Sequence, residues 1–481
     1  MWRLCLILVA CHAAAPRPSD PLVIETDRGP VRGIANEFGR AFLGVPFATA
    51  QRWEPPEQVP AWREPFDATK RRAACLQLDG EATNPGSSED CLNLEVWVPP
   101  DAAHAPVMLW IPGGAFIQGA GNFMLYDGAR LAAREHVVVV AVNYRLNAFG
   151  FASFPFARLP SLGLLDQRAA LEWVQRNITR FGGDPANVTI FGESAGAWSV
   201  CAHLAMAKSR GLFAKAIMES GSCSDPLYFT AEQAAAQGAE LAGSLGCSDL
   251  ACLRAKTGEE ILRALPGRRG YILKPGAWYG PIVDGVELTA QPLEMLRAVP
   301  STVPLLVGWN RDEGALHVVR FAEVTADELA TFVREAFGER ALAALAAYPR
   351  PTPKDQLNDV ITDAVFACAA RRIARVMKGP VYEYEFTHPL DEPRAHDLGA
   401  THSVELWFVF GTEDGGVGLS AAERPLSDKI QDAWGQFART GDPGWPRYTA
   451  DRDELEVLDY APAIASHVKQ DICDRWDALV R

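Results

Sequence analysis

The sequence lacks the features of a chain that binds nucleic acid or anionic membranes. Its 46 basic residues form no cluster and are outnumbered by 60 acidic ones, which gives a formal net charge of −14. Phosphate backbones and anionic lipids repel such a chain, so we expect no nucleic-acid partner. Internal repeats and low-complexity tracts are also absent. A hydrophobic fraction of 48% with a charged fraction of 22% instead predicts a well-packed globular protein.

The N-terminus has the pattern of an export signal. One positive charge in M-W-R precedes an apolar run at residues 4–10, which is too short to cross a bilayer. The run leads into L-V-A-C, which resembles a bacterial lipobox with Cys11 as the lipidated first residue; ordinary cleavage near Ala15 is the alternative. We therefore expect residues 1–15 to direct export. The mature protein is then periplasmic, attached to the outer membrane by an N-terminal lipid, or secreted.

Eight further cysteines favour an oxidising compartment. Cys75 and Cys91 are close enough in sequence to close a local loop, and so are Cys247 and Cys252. Spacing alone does not determine which cysteines pair. The eight are Cys75, Cys91, Cys201, Cys223, Cys247, Cys252, Cys368 and Cys473.

Buried strands alternate with helical patterns along the chain, which predicts an α/β fold with a large, mostly parallel central sheet flanked by helices. The Ala-rich segments 222–280 and 316–378 predict helical insertions that return to the same sheet. We therefore expect one domain, residues 20–481. The predicted strands are 107–111, 137–142, 188–191, 215–219, 304–309 and 381–386.

The motif Gly192-Glu193-Ser194-Ala195-Gly196 lies between the strand V-T-I-F and an Ala-rich helical segment. This G-x-S-x-G pattern places a serine on a sharp strand-to-helix turn, with its hydroxyl above the sheet. The two glycines remove side chains that would collide in so tight a turn. The motif therefore predicts a nucleophilic serine, Ser194.

A nucleophilic serine needs a base, and in this arrangement an acid and then a histidine follow it in the chain. The run R-D-E-G supplies Asp312 and Glu313 at the end of a predicted strand. Spacing favours His402 as the base, with His396 as the main alternative. The other downstream histidines are His317, His388 and His467, of which His317 is expected to share a helix with the acid.

Several blocks of the sequence resemble the type-B carboxylesterases, the cholinesterase-like branch of the α/β-hydrolases. F-G-G-D-P-A-N-V-T-I-F-G-E-S-A-G-A (181–197) is similar to the family's active-serine block, and E-D-C-L-N-L-E-V-W-V-P (89–99) to its second signature. The likeness runs from about residue 22 to the end. It implies a bacterial serine carboxylesterase with an α/β-hydrolase fold, acting on small-molecule esters without a metal or organic cofactor.

The resemblance also implies a role for each candidate residue. Ser194 corresponds to the nucleophile and His402 to the general base, in preference to His396. Glu313 corresponds to the acid, in preference to Asp312, because the family uses glutamate at this position. Together they would form a Ser-His-Glu triad that works through an acyl-enzyme.

The stretch W-I-P-G-G-A-F (110–116) aligns with the family's glycine-rich oxyanion loop. The expected N–H donors are those of Gly114, Ala115 and Ala195. Family members commonly have a third glycine where this chain has Ala115. We therefore predict that Ala115 keeps φ below zero and that Gly113 or Gly114 takes any left-handed conformation. The supporting residues are Gly113, Glu193 and Ser220.

The resemblance further implies three disulfides. Cys201 and Cys223 have no obvious counterpart in the family, and we expect them to be buried thiols rather than a fourth bridge. The implied bridges are Cys75–Cys91, Cys247–Cys252 and Cys368–Cys473.

The loop between Cys75 and Cys91 contains no aromatic residue. Cholinesterases hold a quaternary ammonium over a tryptophan in this loop, so choline esters are not the expected substrates. Short-to-medium acyl esters are expected instead; a lipase, an amidase and a non-catalytic adhesion protein on the same fold remain alternatives. The aromatic residues that could line an acyl pocket, although core packing is the expectation for each, are Phe116, Trp198, Trp278, Tyr279, Trp407 and Phe408.

Overall fold

The computed structural model describes residues 20–78, 86–223, 228–265, 279–414 and 416–480. The predicted export signal and Trp278 therefore lie outside the described residues. The described strands are β1 (Val23–Glu25), β2 (Pro30–Arg32), β3 (Ile34–Asn36), β4 (Gly39–Pro46), β5 (Phe66–Asp67), β6 (Ala74–Cys75), β7 (Ser87–Ser88), β8 (Asn93–Val98), β9 (Ala105–Ile111), β10 (Val138–Val142), β11 (Gly183–Glu193), β12 (Lys215–Glu219), β13 (Phe229–Thr230), β14 (Ile282–Val283), β15 (Leu305–Asn310), β16 (Val381–Phe386), β17 (Glu413–Asp414), β18 (Val417–Gly418), β19 (Glu454–Leu458) and β20 (Ala463–Ser466).

The α-helices in the same ranges lie mostly between the sheet strands. They are α1 (Ala129–Glu135), α2 (Asn147–Phe151), α3 (Leu162–Asn177), α4 (Ala195–Ala205), α5 (Ala231–Ser244), α6 (Leu250–Ala255), α7 (Gly258–Ala264), α8 (Pro292–Ala298), α9 (Gly314–Val318), α10 (Ala326–Phe337), α11 (Pro353–Val360), α12 (Cys368–Val376), α13 (Pro393–His396), α14 (Leu406–Phe410), α15 (Arg424–Thr440) and α16 (Gln470–Leu479). None of these described helices has the length and apolarity needed to cross a bilayer.

A central mixed sheet contains eleven of the described strands, in the order β20-β19-β16-β15-β12-β11-β9-β10-β8-β4-β3. The strands from β19 to β10 in this order are parallel, and the remaining strands pair antiparallel at the two edges. The predicted parallel-rich sheet is confirmed, and each of the six predicted strands is present. These strands can be predicted from the sequence because parallel strands that are buried on both faces consist of continuous apolar runs.

Strand β9 shows how the core is divided between the two faces of the sheet. Val107, Leu109 and Ile111 point into one apolar cluster, whereas Met108 and Trp110 point into the other. Side chains alternate between faces along a strand, so an uninterrupted apolar run serves both layers at once. All five are fully buried. Burial of such a side chain stabilises the fold by roughly 1.5–3 kcal/mol.

The connections of β9 create a crevice at the carboxyl edge of the sheet. The chain leaves β9 for β10 on one side of it, and later returns as β11 on the other side. At such a reversal of strand order the loops that follow neighbouring strands lead to opposite faces of the sheet, which opens a binding crevice. The loop that begins at Pro112 and the turn that carries Ser194 both lie at this point.

Four disulfides join the eight described cysteines. The bridges Cys75–Cys91, Cys247–Cys252 and Cys368–Cys473 are present as predicted. The expectation of free thiols was wrong for the remaining pair, which forms a fourth bridge, Cys201–Cys223, with Cα atoms 5.4 Å apart. Cys201 lies on α4, the helix after β11, and Cys223 follows the neighbouring strand β12. The two cysteines meet because β11 and β12 are neighbours in the sheet. Both cysteines are buried. Free cysteines are commonly buried as well, so burial does not distinguish a bridge from free thiols.

The buried carboxyl of Glu383 on β16 predicts that the protein loses stability as pH rises. Both carboxyl oxygens lack a hydrogen-bond partner among the described residues. Burial raises the pKa of Glu383 to about 8, against the opposing charge of Arg371. The folded-state pKa thus exceeds the ordinary 4.5. Proton binding by Glu383 therefore stabilises the folded protein fully when the pH is below 4.5, the ordinary pKa. This stabilisation is lost as the pH rises through the folded-state pKa of about 8.

We therefore expect Glu383→Gln, which is uncharged and of equal size, to reduce the fall in the free energy of unfolding between mildly acidic and mildly alkaline pH. One such group changes this free energy by at most about 1.4 kcal/mol per pH unit. Urea unfolding at a series of pH values measures the slope. Glu259→Gln removes an exposed carboxyl as the control. If the free energy of unfolding falls with pH as steeply in Glu383→Gln as in the unmodified protein, the raised pKa of Glu383 is not the cause of the fall.

Candidate active site

Ser194 occupies the strained turn between β11 and α4. Its φ and ψ are 54° and −125°, a conformation that costs on the order of 1–3 kcal/mol for a residue with a side chain. The Ser194 N–H donates to the carbonyl of Glu219 on β12 at 3.0 Å, which anchors the turn to the next strand. A Cβ atom at Gly196 would lie 2.0 Å from the Ile111 carbonyl oxygen, so the turn requires glycine there. Ser194 is partly exposed, although its sequence neighbours are buried.

Glu313 and His402 form a buried hydrogen-bonded pair. Glu313 lies between β15 and α9, and its Oε2 is 2.6 Å from Nδ1 of His402. Its other oxygen accepts the Asn310 N–H at 2.7 Å, which fixes the carboxylate. The neighbouring Asp312 instead accepts the Ala400 N–H at 2.9 Å. Asp312 therefore anchors the loop that carries His402 and does not contact the imidazole.

Burial disfavours charge on both members of this pair. It lowers the pKa of His402 and raises the pKa of Glu313. The imidazole is therefore neutral near pH 7, the form that accepts a proton. Because Nδ1 is directed to Glu313, the other ring nitrogen, Nε2, remains for proton transfer.

Two of the expected supporting residues border this pair. Glu193 Oε1 lies 3.1 Å from Nε2 of His402 and accepts a hydrogen bond from Ser403 Oγ at 2.5 Å. Burial raises the pKa of Glu193, and the nearby carboxyl of Glu405 adds to this shift. Ser220 Oγ donates to Glu405 at 3.2 Å. The sequence reasoning missed Glu405; its position three residues after His402 was the available signal.

The loop after β9 lies directly against the Ser194 turn. A Cβ atom at Gly113 would come within 2.7 Å of the Glu193 carbonyl and within 3.1 Å of the Ser194 Cβ. Gly113 therefore allows the loop to approach the serine to a distance that other residues would prevent. This close approach is the role that its placement in the loop predicts.

The backbone prediction for Ala115 was wrong. Gly114 has a positive φ of 111°, as allowed, but Ala115 and Phe116 also take left-handed values of 55° and 59°. Tertiary contacts hold them there. Phe116 is buried against Phe151 with ring centroids 5.0 Å apart, and its carbonyl accepts the Asn147 N–H at 2.6 Å. These contacts offset a conformational cost of roughly 1–2 kcal/mol per residue.

The three expected donors of the oxyanion hole have no acceptor among the described residues. Within the described ranges, the N–H groups of Gly114, Ala115 and Ala195 donate no hydrogen bond to another residue. Ala195 is the first residue of α4, where helical N–H groups have no intrahelical partner. These donors are therefore available to a ligand.

A pocket of about 300 Å³ brings the candidate residues together. Ser194, His402, Gly114 and Ala115 line it, whereas the alternative base, His396, is exposed elsewhere and contacts the Leu390 carbonyl. Other residues that line it are Gln77, Gln118, Phe123, Tyr126, Leu316, His317 and Arg320.

Five of the aromatic residues considered for an acyl pocket lie in the described part of the chain, and these five do not line this pocket. Phe116, Trp198, Tyr279 and Phe408 are buried in the apolar clusters of the core, and Trp407 packs at the edge of one cluster. Core packing, the expected role, therefore describes these five. Among the described residues, the group of side chains spaced to hold a metal ion also lies outside the pocket.

A serine at a strand-to-helix turn of a parallel-rich sheet, followed in the chain by an acid and then a histidine, is the arrangement of the α/β-hydrolases. Residues 20–476 match the carboxylesterase family. The chain belongs to this family and is a serine carboxylesterase, a carboxylic ester hydrolase.

Individual relatives agree with this placement. The chain is 37% identical over 470 residues to the para-nitrobenzyl esterase of Bacillus subtilis (strain 168). The alignment covers 91% of this chain and 94% of the relative. The chain is 33% identical over 548 residues to the acetylcholinesterase of Bungarus fasciatus. This alignment covers 99% of the chain and 89% of the relative. A solved PNB esterase structure has a TM-score of 0.86 at 36% identity and covers 94% of this chain and 99% of that one.

Proposed function

We propose that Ser194, His402 and Glu313 hydrolyse carboxylic esters to an acid and an alcohol through an acyl-enzyme. The observation that carries this proposal is the buried 2.6 Å contact between His402 Nδ1 and Glu313 Oε2, because His402 lines the same pocket as Ser194. The contact occupies Nδ1, so Nε2 is the ring nitrogen that can accept a proton. A serine hydroxyl becomes a competent nucleophile when such a base removes its proton.

The first half-reaction forms the acyl-enzyme. Ser194 Oγ attacks the ester carbonyl carbon while Nε2 of His402 accepts the hydroxyl proton. Glu313 then stabilises the imidazolium, and the carboxyl of Glu193 lies 3.1 Å from the same nitrogen. Collapse of the tetrahedral intermediate breaks the bond to the alcohol, which leaves with the proton from His402. Water repeats the sequence on the acyl-enzyme and releases the acid.

The oxyanion of each tetrahedral intermediate would accept hydrogen bonds from the N–H groups of Gly114, Ala115 and Ala195. These donors need no reorganisation during the reaction because the loop geometry already fixes them. Loss of one such donor typically lowers kcat by about 10²–10³. Ala115 has a left-handed conformation, and the contact of the neighbouring Phe116 with Phe151 holds the loop in this conformation. The position of the Ala115 N–H is therefore fixed before a substrate binds.

Short-to-medium acyl esters, including aryl and benzyl esters, are the proposed substrate class. A pocket of about 300 Å³ is at the lower end of the range for small-molecule sites. A relative at 37% identity is named for a para-nitrobenzyl ester substrate, which adds support. The absence of aromatic residues between Cys75 and Cys91 argues against choline esters.

A panel of p-nitrophenyl esters from acetate to palmitate tests the substrate class. We expect kcat/KM to be highest for short and medium acyl chains and to fall for the longest, because the pocket cannot bury a long chain. A para-nitrobenzyl ester and acetylthiocholine complete the panel, and the latter is expected to be the poorer substrate. Maximal activity on emulsified long-chain esters would indicate a lipase, and faster turnover of anilides than of esters an amidase.

We also propose that the chain is exported, by way of residues 1–15. The pairing of all eight described cysteines supports an oxidising compartment. The intact mass of protein recovered outside the cytoplasm is expected to lack the N-terminal segment. A lipid-modified terminus at Cys11 and an unmodified one near Pro16 have different masses, so one measurement separates anchoring from secretion. Full-length chain in the cytoplasm would contradict export.

A further inference from the structure

A cluster of one histidine and two carboxylates lies where separate segments of the chain meet, outside the Ser194 pocket. His388 and Asp391 belong to the segment after β16, and Glu423 immediately precedes α15. One potential ligand atom from each lies within 4.8 Å of the other two. These three residues are called the His388 cluster below. The proposed ester hydrolysis does not use any of them.

The contacts of His388 indicate which of its ring nitrogens carries a hydrogen. Nδ1 lies 3.2 Å from Oδ1 of Asp459, the residue that follows β19. The other oxygen of Asp459 accepts a hydrogen bond from Thr387 Oγ1 at 2.8 Å, which orients the carboxylate. Because a carboxylate oxygen accepts hydrogen bonds, Nδ1 is the donor. Histidines that bind metal ions through Nε2 are commonly oriented by such a carboxylate.

The opposite nitrogen, Nε2, is buried and has no hydrogen-bond partner among the described residues. His388 as a whole is only 4% exposed. The nearest carboxylate oxygen, Oε1 of Glu423, lies 3.4 Å from Nε2, too far for a good hydrogen bond. Two ligand atoms on a tetrahedral zinc ion are separated by about 3.3 Å, given bonds of roughly 2.0–2.1 Å. The spacing therefore fits two atoms that share a cation.

The two carboxylates of the cluster are already oriented by the surrounding chain. Oε1 of Glu423 accepts the Asp391 N–H at 2.8 Å, and Oε2 accepts the Ser420 N–H at 2.7 Å. Oδ2 of Asp391 accepts a hydrogen bond from Ser420 Oγ at 2.6 Å. Each carboxylate oxygen has a second lone pair for a metal ion. Asp391 is exposed, so water can complete the coordination from that side.

We propose that His388, Asp391 and Glu423 bind a divalent cation of the zinc class, with Asp459 as the positioning residue for His388. One imidazole and two carboxylates suit Zn²⁺ or Co²⁺ better than the all-oxygen ligand sets that Ca²⁺ and Mg²⁺ prefer. The bound ion would join the segment after β16 to the start of α15. The competing arrangement is His388 held between Asp459 and Glu423 without a metal ion.

Titration of the chelator-treated, full-length protein with Zn²⁺, followed by calorimetry, tests this site. We expect one Zn²⁺ per chain and a rise in the thermal midpoint on binding. His388→Gln is expected to weaken the affinity by at least 100-fold, and Asp459→Asn by roughly 10–100-fold. Co²⁺ is expected to give a d–d absorption band that His388→Gln abolishes. Ester turnover measures whether each variant remains folded.

His467→Gln is the matched control, because His467 also contacts a carboxylate, Asp453, but lies outside the cluster. Its Zn²⁺ affinity is expected to equal that of the unmodified protein. If His388→Gln does not fold, Asp391→Asn tests the site from its exposed side, with an expected loss of at least tenfold. The absence of saturable Zn²⁺ binding, or equal binding by both His388→Gln and the unmodified protein, would overturn the proposal in favour of the arrangement without a metal ion.

Discussion

Ser194→Ala is expected to lower kcat for p-nitrophenyl esters by roughly 10⁶, with an unchanged unfolding midpoint. The substitution removes the only atom proposed to bond to the acyl carbon, while alanine fills nearly the same volume in the turn. Steady-state kinetics with a chromogenic short-chain ester measures the loss. A serine-directed organophosphate is expected to label the unmodified protein once per chain and to leave the variant unlabelled.

Ser199→Ala provides the matched control for this experiment. Ser199 lies on α4, the helix that follows Ser194, but its Oγ donates to the Ala195 carbonyl and accepts from Gln167, away from the pocket. Its removal is expected to cost about 1 kcal/mol of stability and to preserve turnover within a few-fold. Substantial turnover by Ser194→Ala, or organophosphate labelling at another serine, would disprove the assignment of the nucleophile.

Glu313→Gln is expected to lower kcat by about 10⁴, equivalent to roughly 5 kcal/mol of transition-state stabilisation. The amide keeps the size of the carboxyl but cannot stabilise the imidazolium. It can also donate a hydrogen bond to Nδ1 of His402, which would move the ring hydrogen to Nε2 and leave no base for Ser194. KM is expected to change little, because Glu313 is fully buried and does not line the pocket.

Asp312→Asn tests the choice between the two adjacent acids. Asp312 accepts the Ala400 N–H and supports the His402 loop. We therefore expect a loss of less than tenfold in kcat, accompanied by a lower unfolding midpoint. Steady-state kinetics and thermal unfolding of both variants measure the contrast. A larger kcat loss in Asp312→Asn than in Glu313→Gln would exchange their proposed roles.

The sequence predicts the central strands because their apolar runs are uninterrupted. Strand β8 is not predicted by that reasoning, since Asn93 and Glu95 interrupt it. Both are buried, and segments distant in sequence provide a partner for each: Asn93 Nδ2 donates to the Ala73 carbonyl, and Glu95 Oε1 accepts the Gly44 N–H. Partners distant in sequence cannot be inferred from local periodicity.

The positions of the site residues followed from motif and family resemblance, whereas their surroundings did not. The left-handed backbone at Ala115 depends on the contacts of Phe116 with Phe151 and Asn147, which lie on a different segment. The Cys201–Cys223 bridge likewise depends on the adjacency of β11 and β12 in the sheet. In each case a tertiary contact decides the outcome, and local preference alone indicates the opposite.

The bridge between Cys368 and Cys473 joins residues with a sequence separation of 105, and His402 lies within that covalent ring. Ser194 and Glu313 lie outside it. A protease that cuts an exposed loop anywhere inside the ring therefore cannot detach the histidine-bearing segment, because the two fragments remain joined through sulfur. Only reduction separates them. The general base is thus covalently retained in a nicked chain, a useful property for an enzyme proposed to work outside the cytoplasm.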